Sequence, residues 1–354
     1  MESSLVVNYQ HLVGRRPQVS SQELLAGFHP SERFGEVSFT TYRPDPQQPS
    51  QAEAVNVLKA FGKKISNPGK KAGLLSKIFN KNPQQTQVKG IYLDGGFGVG
   101  KTHLLASLWH SVQGPKAFGT FVEYTNLVGA LTFRKALTEL SQYKLVCIDE
   151  FELDDPGDTV LMSRLMRELT DAGVKIAATS NTLPGALGEG RFAAADFKRE
   201  IQVLANQFQV LRIDGEDYRH RGLPQAPQPL NPGQEEASIA QVFNPQAHIA
   251  VDDFAELIDH LGQVHPSRYR QLLEGIEGIC WKNVQPITQQ AIALRFVVLA
   301  DRLYDKDLPI LASGVPFDQV FTPEMLSGGY QKKYYRAVSR LTALARQASL
   351  GEDS

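Results

Sequence analysis

Short apolar runs and longer amphipathic stretches alternate along the middle of this chain. GIYLD and KLVCID are near-continuous apolar runs of strand length, as are TFVEY, VKIAATSN and QVLRIDG. Between them lie segments with apolar positions three and four apart, the helical period. KTHLLASLWHSV turns Leu104, Leu105, Leu108 and Val112 to one side. LVGALTFRKALTELS, TVLMSRLMRELTDAG and ADFKREIQVLANQF follow the same rule, and TDAG ends on a helix-stopping glycine. Buried strands joined by helix-length connections predict a parallel sheet with helices on both faces.

The flanks read differently. Residues 52–61 predict a short helix with Ala54, Val57, Leu58 and Phe61 on one face. From Ala54 to Leu93 there is no Asp or Glu, while lysine stands at 59, 63, 64, 70, 71, 77, 81 and 89. NPGKK interrupts that stretch. Its lysines read either as a solvated variable loop or as a contact for an acidic partner. GLPQAPQPLNPGQEE reads as an exposed linker. Beyond it, DDFAELIDHLG, ITQQAIALRFVVLADRLYD and YQKKYYRAVSRLTALARQA predict helices, while GICWKNV and LPILASG predict strands. The layout is therefore an N-terminal segment (1–86), an α/β core (87–221), a linker (222–236) and a C-terminal α/β region (237–354), whose LPILASG strand is expected to complete the core sheet.

Composition narrows the class. Of 354 residues 42% are hydrophobic and 21% charged, and the net charge is −1. No global basic field draws the chain to nucleic acid or anionic membrane. The N-terminus lacks the pattern of a signal peptide. No apolar run reaches the roughly 20 residues of a membrane span. Cys147 and Cys280 lie in apolar runs far apart, which suits buried thiols in a reducing, cytoplasmic setting better than a metal site.

The chemistry concentrates around GGFGVGKT, residues 95–102. A glycine-rich turn between an apolar strand and a helix, ending in Gly-Lys-Thr, is the pattern of a P-loop. Gly95, Gly96, Phe97, Gly98, Val99 and Gly100 supply backbone N–H groups that cradle phosphate, at the positive end of a helix. Lys101 reaches the β- and γ-phosphates and Thr102 ligates magnesium. LVCIDE places Asp149 and Glu150 at a strand end, 48 residues past Lys101. Asp149 is the expected magnesium partner and Glu150 the expected activator of the attacking water. KIAATSN ends in Asn181, an amide placed to polarise that water or touch the γ-phosphate. Arg191, in GEGRF, is the candidate to act on a neighbour's γ-phosphate, with Lys198 and Arg199 competing for the role. Arg336 and Arg340 supply either a further cation toward the phosphates or a charged helix face. His103 reads as a helix residue, since the base role is already filled. ATP and Mg2+ are the expected cofactors.

Taken together, several segments resemble the ZapE-type branch of AAA-like P-loop ATPases, whose mitochondrial relatives are the AFG-like ATPases. They are PSERF with TYRPDP and PSQ near the start, GIYLDGGFGVGKT, CIDEFELDDPGD, ATSNTLP, IDGEDYR and YRAVSRL. The resemblance implies magnesium-dependent ATP hydrolysis, with Lys101, Thr102, Asp149, Glu150 and Asn181 in their usual ATPase roles. It places Gln51, of PSQ, in the adenine-side wall. Arg191 departs from the family pattern, because GEG precedes it where a GLQ-like run is usual. The resemblance also implies a protein partner, with a bacterial setting in cell division at the Z-ring, and a homo-oligomer with the arginine acting in trans. Two other classes stay in view. A helicase loader or replication initiator predicts a basic DNA-binding element after the core, which the C-terminal pattern lacks, so no nucleic acid is expected. A nucleotide-gated scaffold has no need of the base that Glu150 supplies.

Overall fold

The computed structural model describes residues 8–18, 20–67, 89–96, 98–152, 156–183, 187, 202, 205–215 and 226–350. The chain divides into two compact units, residues 21–220 and residues 1–20 with 221–354. The first strand, β1 (Asn8–Gln10), belongs to the second of these, and the first helix, α1 (Ser21–Ala26), to the first.

The unit formed by residues 21–220 holds a five-stranded parallel sheet. Its strands are β2 (Gly90–Gly95), β3 (Lys116–Thr120), β4 (Leu145–Asp149), β5 (Lys175–Ser180) and β6 (Phe208–Ile213). Their order is β3-β4-β5-β2-β6. Strand β2 is thus interior, between β5 and β6. The chain leaves it for the far edge at β3, returns through β4 and β5, and ends on its other side at β6. The order reverses between β5 and β2, and the carboxyl ends of strands at such a reversal leave a crevice for ligand.

Both faces of this sheet are covered, as the apolar runs predict. Alternation along β2 sends Ile91 and Leu93 to one face and Tyr92 to the other. The first face meets α2 (Pro49–Ser66) and α3 (Lys101–Ser111) through Ala54, Leu58, Leu104, Leu105 and Leu108. The second meets α4 (Phe121–Leu131) and α6 (Pro156–Asp171) through Tyr124, Leu127, Met162 and Leu165. Helix α2 begins at Pro49, where a fixed φ suits the first turn and no N–H is lost from the ladder. The expected strand TFVEY is corrected: the strand is Lys116–Thr120, and Phe121 already opens α4. Thr120 accepts from the Glu123 N–H, while the Glu123 carboxylate accepts from the Thr120 N–H at 2.7 Å. That reciprocal capping box starts a helix where the apolar run alone reads as strand. The single helix expected next is two, α4 and α5 (Phe133–Leu140), broken at Thr132 with φ +75°.

The other unit builds its own parallel sheet from β1, β7 (His248–Asp253), β8 (Gly278–Val284) and β9 (Ile310–Gly314), in the order β1-β7-β8-β9. The expectation that LPILASG completes the P-loop sheet is therefore corrected, because its backbone pairs with β8. The expected continuous N-terminal segment is divided as well: β1 pairs with β7. The linker expected over 222–236 is structured from Ala226 onward, where Ala226 is buried, Leu230 bridges Ser313 and a helix, α7 (Glu235–Val242), begins. Helices α8 (Phe254–Gln263), α10 (Gln290–Asp305) and α12 (Gln331–Leu350) cover one face; the short α9 (Tyr269–Leu272) and α11 (Pro323–Ser327) join them. Among them Phe254, Trp281, Phe296, Phe317, Phe321 and Tyr334 form a run of ring contacts. Both cysteines are free and buried, and burial pushes the Cys280 thiol up to about 12. Among the described residues no helix is long and apolar enough to cross a membrane.

Candidate nucleotide site

The P-loop occupies the carboxyl end of β2. Gly98 and Gly100 both have φ +83°, a left-handed backbone that suits glycine. A Cβ at Gly100 would lie 2.6 Å from the Tyr42 ring, so this glycine is required by space as well as by torsion. The Tyr42 hydroxyl donates to the Val99 carbonyl at 2.9 Å. Gly100 caps α3, and the first helical residues are Lys101 and Thr102. Phe97 lies outside the described residues.

The Lys101 ammonium donates to the carbonyls of Gly95 (2.9 Å) and Gly96 (2.6 Å) and to Asn181 Oδ1 (2.8 Å). The Thr102 hydroxyl donates to the Asp149 carboxylate at 3.0 Å. Thus Lys101, Thr102, Asp149 and Asn181 converge, although they come from three separate elements. Asp149 is buried at the end of β4. The turn after it sets Glu150 at φ +53°. A left-handed non-glycine residue stores about 1–3 kcal/mol and persists only where its surroundings fix it. Here the Glu150 N–H donates to the Thr179 hydroxyl (3.0 Å) and the Phe151 N–H to the Thr179 carbonyl (2.7 Å). Phe151 is fully buried against Phe121 and Tyr92. Asn181 is set by a turn in which the Thr182 N–H donates to the Ser180 hydroxyl and Tyr92 donates to the Thr182 carbonyl.

Gln51 sits in the first turn of α2 and is buried. Its Oε1 accepts from the Asp45 N–H, and its Nε2 donates to the Asp214 carbonyl, both at 2.8 Å. The segment from Ser38 to Gln51 therefore lies along the P-loop and its helix. His103 belongs to the same contact, engaging the Thr41 hydroxyl (2.9 Å) and the Ser38 carbonyl (3.2 Å). This agrees with its reading as a helix residue.

Some expected residues fall elsewhere. Arg191, Lys198 and Arg199 lie outside the described residues. Arg336 and Arg340 both donate to Asp301 within the C-terminal unit. Other residues at the site went unread in the sequence. Asp94, the last residue before Gly95, is buried, and Arg212 stands 3.7 Å from it. Burial pushes its carboxyl above the ordinary value, against the nearby charges of Arg212 and Lys101. Thr179, two positions before Asn181 on β5, carries a hydroxyl between the two acids. No sequence signal marks Thr179, because the acids it meets stand 30 and 29 residues away in the chain.

A glycine turn at a helix start, a lysine aimed along it and a hydroxyl–carboxylate pair beside it make a site for a nucleoside triphosphate. The AFG1-like ATPase family matches residues 19–250 and 239–352. The cell division protein ZapE of Escherichia coli (strain K12) is 26% identical over 350 residues, covering 85% of this chain and 92% of that protein. Among solved structures, domain III of the Thermotoga maritima replication initiation protein DnaA aligns with a TM-score of 0.39 and 18% identity, covering 53% of this chain and 70% of that one. With the family match spanning both units and its P-loop assembled at the sheet's reversal, the chain belongs to the AFG1-like ATPases and is a P-loop ATPase.

Proposed function

We propose that this ATPase hydrolyses ATP with magnesium in order to act on a protein partner of the bacterial division apparatus, in the cytoplasm. The observation that carries the chemistry is the convergence of Thr102 on Asp149 and of Lys101 on Asn181 at the head of α3. A hydroxyl and a carboxylate 3.0 Å apart are the hard oxygen donors that suit magnesium. In this reading Thr102 and Asp149 hold the ion, which when bound offsets charge on the β- and γ-phosphate oxygens. Lys101 exchanges its carbonyl acceptors for phosphate oxygens. The P-loop amides of 95–100 bind the remaining phosphate oxygens. Glu150 accepts the proton of the attacking water. Asn181 bonds the γ-phosphate or that water. Gln51 holds the base-side wall in place, and Arg191 of a neighbouring copy completes the site in a homo-oligomer.

Phosphate release tests the chemistry. Wild type with magnesium should turn over, while chelation or Glu150→Gln should reduce the rate to background. Equal rates for wild type and Glu150→Gln reject the base. Specific activity should rise with protein concentration; an Arg191→Ala variant matching wild type at every concentration rejects the trans arginine. The likeness to ZapE supports the division setting. Affinity capture with Glu150→Gln should retain a division protein with ATP and release it without. Retention that ignores nucleotide rejects the coupling.

A further inference from the structure

Thr179 is only 2% exposed, and it binds both acids at the end of the neighbouring strand. Its hydroxyl donates to Asp149 Oδ1 and accepts from the Glu150 N–H at 3.0 Å. Its carbonyl accepts from the Phe151 N–H at 2.7 Å. One residue of β5 thus bonds three successive residues of the turn after β4. Asn181 follows Thr179 by two and receives the Lys101 ammonium. The end of β5 therefore touches the phosphate-side lysine through one residue and the two acids through another.

We propose that Thr179 is a positioning residue for hydrolysis, fixing Asp149 and Glu150 together and holding the left-handed backbone that aims Glu150. The inference rests on the roles given above to those two acids. The hydroxyl is what matters. A hydroxyl donates once and accepts at the same oxygen, so it serves a carboxylate and an N–H together. Valine has the same shape and can do neither. In a Thr179→Val protein the Glu150 N–H loses its acceptor, and one Asp149 oxygen loses a donor. Asp149 would keep the Thr102 hydroxyl, and of the bonds from Thr179 to this turn only its carbonyl contact with the Phe151 N–H would remain. Misaimed catalytic groups lower turnover while leaving phosphate binding by the P-loop in place.

The test compares Thr179→Val, Thr179→Ser and Glu150→Gln, alone and combined, in the full chain. Thr179→Val should lower kcat by roughly 10–100-fold. Affinity for a fluorescent ATP analogue, measured without magnesium, should stay within about twofold, because the P-loop is untouched. Thr179→Ser should recover most of the rate. In protein without nucleotide or metal, amide exchange in the peptide spanning Glu150 and Phe151 should quicken about tenfold or more for Val and not for Ser. The Val change should add little in a Glu150→Gln background, since coupled residues are not additive. Wild-type kcat for Thr179→Val overturns the proposal. So does a parallel loss of binding and rate that serine does not restore, which would mark a packing role. If Glu150→Gln alone retains wild-type turnover, the assigned base is what fails, a result separable from either of these. Should the valine protein not fold, Thr179→Ala takes its place with the same expectations.

Discussion

The ammonium of Lys101 lies 2.8 Å from the side-chain oxygen of Asn181, a bond joining the first residue of α3 to the end of β5. These residues stand 80 positions apart in sequence and meet because β2 and β5 are neighbours at the sheet's reversal. In Asn181→Ala the lysine keeps both P-loop carbonyls. ATP affinity should therefore change by less than about threefold, while kcat falls about 100-fold, the usual range for one lost polar contact to a reacting group. Single-turnover phosphate release beside analogue binding separates the two. Equal losses in both would assign Asn181 to binding alone.

Gly100→Ala should be costly for two independent reasons. Its φ of +83° strains any residue with a Cβ, and that Cβ would meet the Tyr42 ring at 2.6 Å. The torsional part is about 1–2 kcal/mol. Denaturant midpoints should fall accordingly, and nucleotide binding should be lost. Adding Tyr42→Ala should relieve the collision but not the torsion, so the double variant regains only part of the midpoint.

Gln51→Ala removes both bonds of a buried amide and leaves the Asp45 N–H and the Asp214 carbonyl without that partner. The expected loss is about 1–3 kcal/mol of stability, read by thermal or denaturant unfolding. At saturating ATP, kcat should stay within about threefold of wild type. A large fall in kcat at unchanged stability would place Gln51 in the reaction itself.

Asp301 makes a prediction about pH. Burial works against its charge, but the guanidinium groups of Arg336 and Arg340 outweigh burial and hold its carboxyl below the ordinary value. The folded group thus titrates lower than the unfolded one, so its contribution is complete above about pH 4 and is lost as pH falls toward the folded value. Asp301→Asn should destabilise the protein by about 3–5 kcal/mol at pH 7, since the charges of two partly buried arginines lose the carboxylate between them. Unfolding midpoints of variant and wild type should converge on acidification. A gap that is constant from pH 7 to pH 3 would rule out the ion pairs as its source.

The parts of the site that are legible in sequence are those whose geometry is local. Gly95 to Thr102 announce themselves because a glycine turn, a helix start and a lysine are neighbours in the chain. Asp149 and Glu150 do so because a strand end is visible in LVCIDE. Phe121 reads as strand in sequence, since apolar content gives no sign of a helix start. Thr120 and Glu123, three apart, were the local signal that did. Arg336 and Arg340 allow two readings in sequence because their common partner, Asp301, stands 35 and 39 residues away. Thr179 has no motif of its own. Its role arises only when β4 and β5 lie side by side. Strand β1 is not legible because three residues carry no period, and its pairing is with residues 240 positions later.

That last pairing has a consequence for synthesis. Asn8 meets His248, and the Leu12 N–H meets Asp252, each 240 residues later. At about 5–20 residues per second the ribosome needs roughly 10–50 s to deliver the partner strand. By the end of that interval residues 21–220 are made and can collapse around their own sheet, while strand β1 still waits for its partner. Residues 8–10 therefore find their places only after the P-loop unit has had the chance to fold, because the sheet that holds them does not yet exist.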